Sequence, residues 1–185
     1  MSRNTNDRQS ELLASGCLVI GAALGIAGAF VPSASLRGLA WGLDGIALIV
    51  ASAVLAVRFI RMGHDLPAAG FLVFLAGETL VVAGSAMDLA ASVPLFGAGA
   101  GLWAAALTLI SSAAVYGKVV RGLGFFAAIL LALVALQILA GRQLTPLSAP
   151  LPFFAYPFLA AALVGWAWHH FGYRAVESAR FGDAD

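Results

Sequence analysis

Charge is what this sequence has least of. Ten lysines and arginines and nine aspartates and glutamates make only 10% of 185 residues charged, where a soluble domain carries about 25%. So few charges cannot cover a globular surface, which excludes a water-soluble enzyme and a disordered scaffold. A net charge of +1 supplies no basic field for a phosphate backbone, so a nucleic-acid partner is excluded as well. Cysteine is nearly absent. Cys17 stands alone, no intrachain disulfide can form, and its place inside an apolar run reads as a small buried thiol rather than a reactive one.

Apolar residues take the vacated share: 62% of the chain, with 21 glycines and a mean hydropathy of +0.97. A bilayer core needs about 20 apolar residues per helix. Six segments meet that length, at residues 12–31, 39–60, 67–91, 95–117, 123–140 and 153–171. They predict an all-α, polytopic membrane protein: one transmembrane domain over residues 1–185, six helices, short connections. The first segment exceeds a signal-peptide core. Despite a faint cleavage-like Ser33-Ala34-Ser35, it is read as a retained helix.

Positive charge sets the expected orientation. Arg3, Arg8, Arg58, Arg61, Lys118, Arg121, Arg174 and Arg180 fall on one side, against Arg37 and Arg142 on the other. Both termini are therefore expected in the cytoplasm, with the chain in a bacterial inner membrane. Trp41 and Trp103 are expected as anchors near the outer interface, and Trp166, Trp168 and Tyr173 near the inner one.

Membrane helices associate through small residues that let backbones approach. Gly21, Gly25 and Gly28 form one face of the first span. Gly70, Gly77 and Gly84 recur every seven residues in the third, and Gly97 and Gly101 lie in the fourth. This pattern predicts helices one, three and four at the centre and helix five, with Gln137 as its sole polar side chain, against lipid. Pro32 and Trp41 share a nine-residue spacing with Pro94 and Trp103, which suggests a hairpin used three times.

The stretch 21–52, with its Gly21-Ala-Ala-Leu-Gly25 face, Pro32 turn and Gly45-Ile-Ala-Leu-Ile49 run, resembles the first hairpin of the HdeD-like acid-resistance membrane proteins. These are small six-helix bacterial proteins built from Gly-rich hairpins. The resemblance implies the same architecture over most of the chain and carries no catalytic residues. Pro146, Pro150 and Pro152 depart from a regular repeat.

Carboxylates inside spans are the candidate site, because an ionisable group at mid-bilayer costs about 2.5–3.5 kcal/mol by insertion scales and so faces protein or water. Glu78 falls near the midplane, with Ser85 on its face and Thr79 beside it. It reads either as a proton- or cation-binding group or as a structural hydrogen bonder. Asp88 and Asp44 are expected to be shallow, paired with Arg142 and Arg37 at the outer rim. His169 and His170 adjoin each other and point about 100° apart, so they cannot easily chelate one metal; no metal and no cofactor is expected. Lys118 is too shallow for a retinal-type Schiff base, and no nucleophile has a histidine at its depth.

Two functions follow. The first is a non-catalytic integral membrane protein, an accessory subunit or stress-associated component acting through helix association with other membrane subunits or with itself. The alternative is a small proton-coupled transporter or permeation protein with Glu78 as its midplane carboxylate.

Overall fold

A computed structural model describes the backbone of residues 5–182 and the side chains of residues 7–171. Arg3 and the side chains of Tyr173, Arg174 and Arg180 lie outside the described residues. The described chain is all helix and turn: α1 (Thr5–Phe30), α2 (Ala34–Arg61), α3 (Asp65–Ser85), α4 (Val93–Ser112), α5 (Lys118–Leu139) and α6 (Tyr156–Gly182). Among the described residues five helices, α1 to α5, are long and apolar enough to cross a membrane. The molecule is a helical integral membrane bundle.

Local chemistry places the helix ends. Ser33 caps α2 by accepting from the Leu36 N–H, and Arg58 and Arg61 occupy its last turn, where cations suit the helix dipole. Gly63, at φ 73°, takes the left-handed conformation that turns the chain into α3. The third span stops at Ser85, six residues short of the expected 91. The Asp88 carboxylate accepts from the Ala91 N–H at 2.9 Å, holding residues 86–92 as a turn. Pro94 then sits in the first turn of α4, where its missing N–H costs nothing. The fourth span likewise ends at Ser112 rather than 117, leaving Tyr116 in a connection.

Packing follows chain order. Each helix lies against the next, and α6 closes against α1, so the six form a ring. No helix sits at its centre, which corrects the expectation of helices one, three and four as a core. α5 is as enclosed as α1 and α3, and α4 is the most enclosed of the five. The ring shows no separate hairpins, because α2–α3 and α4–α5 pack as fully as α1–α2 and α3–α4. The proline–tryptophan repeat dissolves too: Trp41 is half-buried whereas Trp103 is 1% exposed.

Side chains fill the ring. Phe59 stacks on Phe71 with centroids 5.6 Å apart, Phe71 meets Trp166 edge-on at 5.1 Å, and Phe74 lies 6.1 Å from both Trp166 and Trp103. Such contacts add to the large area each ring buries. Trp103 and Trp166 are each 1% exposed, so they are core residues and not interfacial anchors. Trp168, 75% exposed, fits the anchoring expectation.

The glycine faces do a different task from the one spacing suggested. A Cβ on Gly21 would strike Leu48 at 2.5 Å, and one on Gly28 would strike the Trp41 indole. Gly70 makes room for Ile110 and Gly97 for Ile138, each at 2.5 Å. Only between α3 and α4 do two glycines bring backbones together: a Cβ on Gly77 would lie 3.1 Å from the Gly99 carbonyl oxygen, and one on Gly99 would lie 3.0 Å from that of Gly77. Gly84 and Gly101 are looser, with nearest neighbours at 3.4 and 3.5 Å.

Candidate functional site

Asp44 and Glu78 are both buried inside the ring, on the neighbouring helices α2 and α3. Asp44 is the eleventh residue of α2, about 15 Å from its start, and is 4% exposed; Glu78 on α3 is 2% exposed. Asp44 is thus neither shallow nor at the rim. Arg37, its expected partner, donates to the Val31 carbonyl at 3.3 Å and lies over the Trp41 ring. Tyr156, at the start of α6, donates its hydroxyl to Asp44 Oδ2 at 2.9 Å. Since α6 and α2 are not ring neighbours, that bond crosses the interior.

Glycine makes the space. A Cβ on Gly25 would lie 2.7 Å from Asp44 Oδ2 and 2.6 Å from Tyr156 Cε1, so α1 must be bare where the bond forms. Gly45 makes room for the Val82 side chain, and Glu78 Oε2 would lie in ordinary contact, 3.4 Å from a Cβ there. On the third side stands Trp103, its ring 6.4 Å from that of Tyr156. Its indole N–H is directed toward Glu78 without closing a hydrogen bond.

Three buried polar atoms at this spot have no hydrogen-bond partner: Asp44 Oδ1, Glu78 Oε1 and Trp103 Nε1. Among the described residues no lysine, arginine or histidine bonds either carboxyl. The pair is close enough for each group to feel the other's charge. A buried ion without a counter-charge costs several kcal/mol even after relaxation. The groups facing the pair, a phenol and an indole, are donors. Donors stabilise one negative charge and oppose a cation, so the arrangement suits a proton and not a metal ion. Among the described residues no cluster of three metal-ligating side chains exists.

Of the other candidates, Ser85 donates to the Val82 carbonyl at 2.7 Å and does not reach Glu78. Asp88 is exposed at its turn, and Arg142 bonds Gln137 at 2.7 Å instead of pairing with it. Both residues border the far end of the bundle. There, a cleft of about 240 Å³ is lined by Arg37, Trp41, Val81, Ser85, Asp88 and Ser92 among others. Val81 stands one helical turn from Glu78 and Trp41 one turn from Asp44. His170 is 5% exposed and sits 3.3 Å from the Tyr116 hydroxyl at the opposite, basic end. Tyr156 and Gly99 had not been singled out from the sequence, and Gly45 had been noted only as the start of the run that carries the family resemblance. The one available signal was Gly45 itself, a residue of no bulk beside a charged one.

The chain matches no known family, no characterised protein and no solved structure at a significant level.

Proposed function

We propose that this chain is a small proton-coupled transporter or permeation protein in which Asp44 and Glu78 together hold the exchanging proton. The observation that carries the reading is the Tyr156–Asp44 hydrogen bond beside Glu78, in the ring interior, with no lysine, arginine or histidine bonded to either carboxyl among the described residues. The far-end cleft stops one helical turn short of the pair, while Phe74, Trp166, Phe71 and Phe59 fill the path toward the basic end. A site approached by a cleft from one end and plugged toward the other is what coupled transport requires in one of its states. The arginine and lysine bias supports a cytoplasmic location for the basic end and both termini, in a bacterial inner membrane, and on that reading the cleft faces outward. The reading involves no catalysis and no cofactor. HdeD-like kinship remains a proposal resting on architecture.

The competing accessory-subunit reading drew on the glycine seams as surfaces for partners. Gly21, Gly25, Gly28, Gly70, Gly77 and Gly97 all face side chains or backbone of the same chain, which leaves that reading with less to stand on. Proton flux into liposomes carrying the purified protein tests the choice. Glu78→Gln and Asp44→Asn are expected to abolish flux while the protein still folds. Wild-type flux in both variants would overturn the transport reading. Stoichiometric partner chains on the protein extracted from its host membrane would then support the accessory one.

A further inference from the structure

A second cleft lies far from the carboxyl pair, at the basic end between α1 and α2, and encloses about 640 Å³. Its floor is apolar, formed by Ala53, Val54 and Val57 of α2. Its rim is charged. Glu11 and Arg58 form an ion pair that ties α1 to α2. One turn further toward the helix ends stand Asp7 on α1 and Arg61 on α2, both exposed and neither paired across the cleft. Ser10 completes the rim.

Both walls are membrane-crossing helices, so the floor lies at the depth of acyl chains and the rim at the depth of headgroups. Two arginines and two carboxylates balance. A purely anionic headgroup would meet as much repulsion as attraction, whereas a headgroup bearing both signs finds a partner for each. Arg61 can take a phosphate by charge-assisted hydrogen bonds. Asp7 offers a carboxylate to an ammonium, and a primary ammonium, with three N–H donors, satisfies it where a quaternary one cannot.

We propose that the α1–α2 cleft is a binding site for a zwitterionic phospholipid with a primary-amine headgroup. The phosphate lies at Arg61, the ammonium at Asp7, and an acyl chain runs along Ala53, Val54 and Val57. The Glu11–Arg58 pair holds the cleft open at a fixed width and is not itself the ligand's partner.

Delipidated full-length protein, mixed with phosphatidylethanolamine, phosphatidylcholine and phosphatidylglycerol of one acyl composition, tests this by native mass spectrometry of the retained lipid. Wild type is expected to hold one phosphatidylethanolamine in preference to the other two. Asp7→Asn is expected to lose the preference over phosphatidylcholine, by about tenfold for one charge-assisted hydrogen bond. Arg61→Gln lowers retention of all three. Ala53→Phe fills the floor, leaves every charge in place and excludes the lipid. Equal retention of the three lipids by wild type, a preference for phosphatidylglycerol, or retention unchanged in all three variants would each overturn the proposal in favour of annular lipid only.

Discussion

The Tyr156 hydroxyl reaches Asp44 Oδ2 at 2.9 Å across 112 residues of sequence, joining two helices that are not neighbours in the ring. It is the only hydrogen bond among the described residues that spans the ring interior from α6 to α2. Replacing Tyr156 by Phe keeps the ring and removes the donor. The expected cost is about 1–3 kcal/mol, that of leaving a buried acceptor without its partner. It reads out as a lower unfolding midpoint in detergent, recovered in the Tyr156→Phe, Asp44→Leu double variant, which removes the acceptor too. A midpoint unchanged in the single variant would show that the bond contributes nothing.

Glycines on neighbouring helices, Gly77 on α3 and Gly101 on α4, should respond oppositely to a methyl group. At Gly77 it collides with Trp103 Cδ1 at 2.9 Å and with the Gly99 carbonyl oxygen at 3.1 Å, whereas at Gly101 the nearest atom is 3.5 Å away. Gly77→Ala is expected to destabilise by about 1–3 kcal/mol through overpacking. Gly101→Ala is expected to be neutral or mildly stabilising. Gly45→Ala and Gly42→Ala form a second pair on α2, since Gly45 faces Val82 and Gly42 faces open space. Thermal melts of the four proteins decide.

Tryptophan fluorescence separates ring interior from lipid surface. Single-tryptophan variants retaining Trp103 or Trp166, each 1% exposed, are expected to resist quenching by brominated acyl chains. The variant retaining Trp168, 75% exposed, is expected to be strongly quenched. Equal quenching of Trp103 and Trp168 would mean that the aromatic column faces lipid.

High pH acts at the basic end. Tyr116, in the turn between α4 and α5, is buried against Trp166 and His170. Burial pushes its phenol above the ordinary value, partly opposed by the Arg58 guanidinium. The unfolded chain releases this proton near pH 10 and the folded chain keeps it, so the folded state binds more protons and stability falls as pH rises through that range. Denaturant titrations between pH 9 and 11 should show the decline, with a shallower slope in Tyr116→Phe. Identical slopes would show that the phenol ionises freely in the folded protein.

Hydropathy made the spans legible in the sequence because burial in lipid is a property of length and composition. It measures depth along a helix and says nothing of which way a side chain turns, so Trp103 and Trp166 were read as belt residues although they face inward. Asp44 was misjudged by depth as well. Starting the second span at 39 instead of Ala34 moved it about 7.5 Å toward the surface. The glycine spacing marked true contact faces. It could not tell that a tyrosine from the last helix and an aspartate from the second would fill the gap at Gly25, because that meeting is made only by ring closure.

Closure has a consequence for biosynthesis. The ring is completed by its first and last members, so Asp44 enters the membrane 112 residues before the tyrosine that will hold it. At ribosomal speeds of about 5–20 residues per second, the wait is roughly 6–22 s. Through that interval the growing chain carries two acidic helices, α2 and α3, with nothing between their carboxyls and the lipid or the insertion machinery except each other. The pairing of neighbours, α1 with α2 and α2 with α3, gives the nascent protein a shelter for Asp44 and Glu78 long before α6 is made. Chain order around the ring is then also an order of assembly.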